Sequence, residues 1–373
     1  MDLNEPPTSV ELEKALKVMK LGKAGGQSSI LPDMVLHGGP VLHSCILAVM
    51  SWSWEEGVVV RDWRDAVVVP IPKKGDLHFC DNWRSISLLD VVGKLLARIL
   101  QDRLKTIADY FLPDSQCWFR TGRGCIDMIF VARQLLEKAI EHNSELYVLF
   151  VDLRKAYDSI PCDALWRVLE KVGVPPAMVR IIQSLHVGMT ASVRVGGDLT
   201  DPVTVTNGLR QGCTLAPMLF NIYFAAVVAH WNSCSPAAGV PVLYKIGWKL
   251  VGDRTAKGRL LSTSVTDAAL YATSQLVFED VVSSFISCAS RWGLTVSVQK
   301  SKGMAIGASV DCRHVAVGGD TIEVVDKFPY LGSLLSSDGL ASRDVASRVA
   351  KRICCLWCSQ DSCFCQQDSV PQV

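Results

Sequence analysis

The sequence predicts a mixed α/β fold, on three observations. β-branched runs alternate along the chain with stretches of helical periodicity. Hydrophobic residues make up 49% of the 373 and charged ones 20%, enough apolar side chain for a sizeable core and too little charge for a solvated, disordered polymer. At roughly 150 residues per domain the length leaves room for two or three packed units. Lys and Arg (38) nearly balance Asp and Glu (37) for a formal charge of +1, so any footprint for a polyanion must be local. No run reaches the roughly 18 unbroken apolar residues of a membrane span, and the opening MDLNEPPTS is acidic and polar where a secretory leader is basic and then apolar. The expectation is a soluble, intracellular protein, cytoplasmic or nuclear, neither secreted nor membrane-bound. Nine of the 14 cysteines are scattered singly, the usual pattern of reduced core thiols, and five crowd the last 20 residues.

The first element reads as a helix capped by Ser9, with Leu12, Leu16, Met19 and Leu21 at near-helical spacing until Gly22. A Gly-rich loop follows over residues 22–29, then an apolar helix over 31–54. Residues 66–71 (AVVVPI) are a strand bounded by Pro72, Lys73 and Lys74. Helix returns over 88–104, where Lys94, Arg98, Arg103 and Lys105 form either a solvated face or a nucleic-acid contact. Residues 147–151 (YVLFV) are a continuous, buried type of strand ending in Asp152. Helices follow over 163–172 and 176–185, then a hairpin of 191–195 and 203–206 turning at Gly196, Gly197 and Asp198. A loop over 207–217 leads into an apolar helix over 218–230.

Two constellations could carry chemistry. Asp152 and Asp158 bracket a strand-to-helix junction, where a carboxylate either holds a hard cation such as Mg²⁺ or caps a helix. In the loop GLRQGCTLAP, Gly208 and Gly212 permit close backbone approach, while Arg210 and Gln211 offer donors ahead of a helix N-terminus that favours anions. An ordinary Gly-containing loop is the alternative. In the tail, Cys355 and Cys358 with Cys363 and Cys365 have the count for a zinc site but no histidine and a very short last loop, so a polar, poorly ordered stretch from Cys354 onward is expected instead.

Taken in order, these segments resemble the reverse transcriptase domain of non-LTR, LINE-type retrotransposons, from about residue 6 to about 349. VVVPIPKKGD with NWRSISLL is similar to the finger motifs, QCWFRTGRGCIDMIF to the next block, LFVDLRKAYDSI to the first palm motif and NGLRQGCTLAPMLFNIYF to the second. WGLTVSVQKSKGMAIG and FPYLGSLLSSDG resemble the two later palm motifs. The resemblance implies a right-hand polymerase of fingers and palm, an antiparallel palm sheet packed on helices, with the thumb largely missing. It implies an N-terminal extension over 1–40, fingers over 41–145, palm over 146–339, and a truncated thumb start with a Cys-rich tail over 340–373.

The same resemblance implies roles. Asp152, with the Leu153 carbonyl, would hold Mg²⁺ or Mn²⁺; Lys73 and Arg84 would hold triphosphate; Gln211 would lie against the incoming deoxynucleotide. Tyr157 would block a ribose 2′-OH by clash. Lys300 matches the lysine that protonates pyrophosphate, and Tyr330, Leu331 and Gly332 match the turn that grips the primer. The implied partners are an RNA template, a DNA primer and deoxynucleoside triphosphates, with thumb and endonuclease supplied from elsewhere in a longer polyprotein or by a partner. The chain departs from the pattern at the third palm motif, where an aromatic-Ala-Asp-Asp turn should supply the second metal-binding carboxylate. Here Ser264-Val265-Thr266-Asp267 leads into Ala268, and the match on both flanks favours a deletion over a substitution. Coordination would rest on Asp152 and Asp267, and an impaired or inactive enzyme is expected. Trp118 stands where the family has glycine, Ser85 where it has proline, and Gly25, Ser28 and Ser29 interrupt the opening Gly-rich motif. The rival expectation is a non-catalytic RNA-binding or host-recruited protein that keeps the fold, or a decaying fragment with no role.

Overall fold

The structure is a computed structural model describing residues 3–73, 75–114, 116–117, 120, 122–210, 212–234, 241–246, 249–255, 261–263, 267–307, 314–317 and 320–358. In chain order the first elements are α1 (Ser9–Lys17), α2 (Pro32–His37), α3 (Gly39–Glu56), α4 (Arg61–Arg64), β1 (Ala66–Pro72), β2 (Trp83–Leu88), α5 (Val91–Phe111) and α6 (Cys125–Glu141). Then come β3 (Leu146–Arg154), α7 (Cys162–Val172), α8 (Pro176–His186), β4 (Thr190–Val195), β5 (Asp198–Leu199), β6 (Val203–Thr204) and α9 (Ala216–Cys234). The remainder is β7 (Pro241–Ile246), β8 (Lys249–Thr255), β9 (Leu261–Thr263), β10 (Asp267–Ala272), α10 (Gln275–Arg291), β11 (Thr295–Val296) and β12 (Lys302–Ile306). The last elements are β13 (His314–Val317), β14 (Asp320–Glu323), β15 (Lys327–Tyr330), β16 (Ser333–Ser336) and α11 (Ala341–Cys358). The chain forms two compact units that interleave in sequence, the first of residues 1–113, 155–227 and 292–294, the second of 114–154, 228–291 and 295–373.

In the first unit, α1 is capped by Thr8 and not Ser9. The Thr8 hydroxyl accepts from Glu11 N–H at 3.3 Å and the Glu11 carboxylate accepts from Thr8 N–H at 2.9 Å, so the T-x-x-E spacing decides the start. The apolar stretch over 31–54 is two helices, broken where Gly39 takes φ +75°. Asp90 caps α5 by accepting from Val92 N–H at 2.9 Å, and the Ser28 hydroxyl bonds the same carboxylate, so this departure from the family's Gly-rich motif has a structural partner. Neither a solvated face nor a polyanion contact describes Arg103. It is 3% exposed, donates to both Glu11 oxygens at 2.7 and 2.8 Å and lies 4.9 Å over the Trp54 ring. Arg98 and Lys105 pair with Asp102. The sheet runs β2-β1-β4-β5, with β6 also on β4, and its one parallel pairing joins Ala66 to Ala191 and Val68 to Val193.

The second unit is built on β3. Its sheet runs β11-β3-β10-β9, with β12 also on β3, and every pairing is antiparallel. Leu146 to Val151 are each at most 3% exposed, which is why the strand reads as an unbroken apolar run. Val148 and Phe150 face a core of Met128, Leu135 and Leu136 from α6 with Tyr330 and Leu335 from β15 and β16. On the opposite face Tyr147 stacks on Phe278 of α10 at 5.5 Å. Helix α11 carries the backbone through Cys358. Cys363 and Cys365 lie outside the described residues. Among the described residues no helix is long and apolar enough to cross a membrane.

Candidate active site

The carboxylate part of the candidate site belongs to the second unit. Asp152 does not end β3, because Leu153 and Arg154 go on to pair with Val296 and Thr295 of β11. Across the neighbouring strand, β10 places Asp267 directly opposite Asp152, a register in which paired residues stand ~4.5–5.5 Å apart. The turn after β11 grips Asp152 from the other side. Ser297 N–H donates to the Asp152 carbonyl at 2.8 Å, Asp152 N–H donates to the Ser301 hydroxyl at 3.1 Å, and Lys300 Nζ lies 3.7 Å from Asp152 Oδ2. Ser301 is fully buried. Sequence reasoning passed over it, since its partner lies 149 residues earlier in the chain. Burial raises the Asp152 carboxyl above the ordinary carboxylate range, and the Lys300 ammonium offsets only part of that rise. Asp158 does not cap α7, whose N-cap is Pro161; its own N–H donates to Lys155 O at 2.9 Å.

Two residues before Asp152, Phe150 stacks on Phe328 at 4.3 Å and meets Tyr330 at 5.3 Å. Tyr330 is therefore buried, and it anchors a two-residue hairpin between β15 and β16 in which Leu331 (φ +50°) and Gly332 (φ +81°) form the tip. Thr266, with Ser264 and Val265, lies outside the described residues; β9 and β10 pair on either side, Thr263 opposite Ala268.

The nucleotide part belongs to the first unit. Lys73 and Arg84 stand exposed on the β1–β2 hairpin, Arg84 opposite Ile71, with Lys73 N–H donating to Asn82 O at 2.7 Å. Tyr157 packs its ring on Phe220 of α9 at 5.2 Å, and burial raises its phenol far above the ordinary value. Its carbonyl accepts from Leu209 N–H at 2.7 Å, which ties it to the loop over 207–217. That loop needs its glycines. A Cβ on Gly208 (φ +90°) would stand 2.7 Å from Asp158 Cα, and one on Gly212 (φ +106°) 2.8 Å from Ser87 O. Arg210 does not face an anion ahead of α9, as its position suggested. It is 4% exposed, its Nη1 donates to Trp63 O at 2.9 Å, and burial lowers its pKa to about 10. Gln211 and Trp118 lie outside the described residues.

An antiparallel sheet with Asp152 and Asp267 at paired register positions on adjacent strands is a fold of the polymerase palm type. A family model described as reverse transcriptase (RNA-dependent DNA polymerase) matches residues 71–335, and the chain belongs to that family. It is 29% identical over 220 residues to the transposon TX1 uncharacterized 149 kDa protein of Xenopus laevis, covering 59% of this chain and 17% of that protein. It is 27% identical over 297 residues to the retrovirus-related Pol polyprotein from type-1 retrotransposable element R2 of Popillia japonica, covering 78% of this chain and 40% of that one. Apo telomerase from Candida tropicalis is similar at a TM-score of 0.48 and 14% identity, over 79% of this chain and 60% of that one. The domain is the reverse transcriptase type of LINE-like elements. The chain spans less than half the length of these curated relatives.

Proposed function

We propose that the chain copies RNA into DNA by joining deoxynucleotides to a primer 3′ end, and that it does so weakly. The observation that carries this reading is the register of Asp152 against Asp267 on adjacent strands, with Lys300 beside Asp152. The family generally uses divalent metal ions, and the donors here fit Mg²⁺ or Mn²⁺: all are hard oxygens, and burial penalises the charge of the Asp152 carboxylate, a penalty a bound cation would relieve. Asp152, the Leu153 carbonyl and Asp267 would hold the ion. When bound, the metal supplies positive charge to the triphosphate and to the attacking primer oxygen.

The chain's own groups do the rest. Lys73 and Arg84 hold the triphosphate, Gln211 lies against the nucleotide, Tyr157 excludes a ribose 2′-OH, and Lys300 gives its proton to the leaving pyrophosphate. The Leu331-Gly332 tip, fixed through Tyr330, steadies the primer. On this reading residues 41–145 act as fingers, 146–339 as palm and 340–373 as the start of a thumb. Activity is weak because the third palm motif keeps one carboxylate where the family has two. Misplacing or losing a ligand costs orders of magnitude in rate.

That same missing turn favours a second reading, in which the fold serves to bind RNA without catalysis. Primer extension on an RNA template with Mg²⁺, run beside salt-dependent binding of the same duplex, separates the two. The expected result is slow templated extension that Asp152→Asn abolishes. Duplex binding with no extension would establish the second reading, and failure of both would overturn the first.

A further inference from the structure

Arg210 is a cation buried at a cost that stability alone does not repay. Its Nη1 has one acceptor, Trp63 O, while Nε and Nη2 have no hydrogen-bond partner among the described residues. A buried donor left unpaired is costly, the more so when charged, so an apolar side chain would satisfy the fold at less expense. The place it occupies explains its retention. Arg210 opens the turn closed by Cys213 N–H on Arg210 O at 3.2 Å, in which Gly212 takes the left-handed conformation. Leu209, on one side, donates to the Tyr157 carbonyl, and Gly212, on the other, lies against Ser87 of β2. The guanidinium is the side-chain bolt between those two backbone anchors. Its acceptor is rigid as well: Trp63 is 6% exposed and sits so close to α5 that a Cβ on Gly93 would come 3.0 Å from Trp63 Cβ.

We infer that Arg210 is a positioning residue for the incoming nucleotide, fixing the loop over 207–217 to α4 and to the backbone of Tyr157. The inference rests on the proposed reverse transcriptase reading and deepens it. Three consequences follow from the bonding. Loosening Arg210 leaves Lys73, Arg84 and the carboxylates in their own elements, so duplex binding is spared. It frees the turn against Tyr157, so nucleotide affinity falls. It also relaxes the steric test of the sugar, so discrimination against ribonucleotides falls with it.

The experiment compares the full chain with Arg210→Met and Arg210→Lys on an RNA template and DNA primer, measuring duplex affinity, KM and kcat for a deoxynucleotide, and the matching ribonucleotide. Met removes the bond to Trp63 O; Lys keeps the charge and a donor for Trp63 O but not the planar fork. Arg210→Met is expected to raise the deoxynucleotide KM about 10-fold or more, with kcat within about 3-fold and duplex affinity unchanged. Arg210→Lys should give a smaller rise and a partial loss of sugar discrimination. Unchanged KM and discrimination in a folded variant, or a rise in KM matched by an equal loss of kcat and of thermal stability, would overturn the inference. If Arg210→Met does not fold, Arg210→Lys decides alone by the same KM. If the native chain extends no primer, titration of the protein–duplex complex with a fluorescent deoxyadenosine triphosphate takes its place. Binding that Arg210→Met weakens keeps the inference while the catalytic reading falls. Binding that it leaves unchanged overturns the inference alone, and no binding by the native chain overturns both.

Discussion

The two units hold their functional residues in different ways. In the first, the loop over 207–217 is fastened by glycines that no other residue could replace without a clash, by Leu209 on Tyr157 and by Arg210 on Trp63. In the second, Asp152 is fastened just as firmly by Ser297, Ser301 and the register with β10, and the proposed reading leaves it a single aspartate, Asp267, as its partner in the third palm motif. The anchors around both parts are therefore in place, and on the proposed reading the departure that weakens the chemistry is the one at the third palm motif. A chain losing its fold piecemeal would show slack in the anchors first.

Several substitutions would break or sharpen that contrast. The largest effect is expected from Asp152→Asn, which should cut primer extension by about 10³-fold or more while leaving duplex affinity unchanged. Next is the frame of the first unit. Glu11→Ala strands the buried Arg103 guanidinium and should cost roughly 3–5 kcal/mol, read as a lowered midpoint in urea unfolding. In the second unit Asp344 is almost buried and accepts from Leu334 N–H at 2.8 Å, from the Ser333 hydroxyl and from Arg133 and Arg348. Asp344→Ala should therefore destabilise by about 2 kcal/mol. Burial alone would raise the Asp344 pKa, but the Leu334 N–H, Arg348 and Ser333 bonds hold it below the ordinary value. Its stabilisation is thus complete at neutral pH, and the gap between Asp344→Ala and the native chain should close only as the pH falls below 3.8.

The smallest effect has the opposite sign. Burial, partly offset by Lys300, raises the Asp152 pKa, so its contribution to stability is full below 3.8 and is lost as the pH rises through the folded value. Without divalent metal, Asp152→Asn should slightly raise the melting temperature at neutral pH and change nothing in acid. One substitution would then lose the chemistry and gain stability, the trade expected of a residue kept for function.

Local pattern made much of this legible. The strand β3 announced itself because both its faces are buried, and α7, α8 and the hairpin from β4 through β6 fell where periodicity and the Gly196-Gly197 turn put them. Asp267 became a candidate only through the family's motif order, since its partner strand is 115 residues away in the chain. Long-range partners hid the rest. Arg103 reads as a surface cation until Glu11, 92 residues earlier, closes on it, and Arg210 reads as an anion ligand until Trp63, 147 residues earlier, takes its donor. Ser301 was passed over because nothing local marks a serine whose partner is the backbone of Asp152, 149 residues before it.

The claim that the third palm motif is where the defect lies has a direct measurement. Ser264→Tyr, Val265→Ala and Thr266→Asp together rebuild an aromatic-Ala-Asp-Asp turn ahead of Ala268, and Mg²⁺-dependent extension by that protein is compared with the native chain on one RNA template. Because metal ligands act as a unit, the expected gain is about 10²-fold or more. A rebuilt protein that unfolds cooperatively, binds the RNA–DNA duplex and adds nucleotides no faster than the native chain would contradict the account.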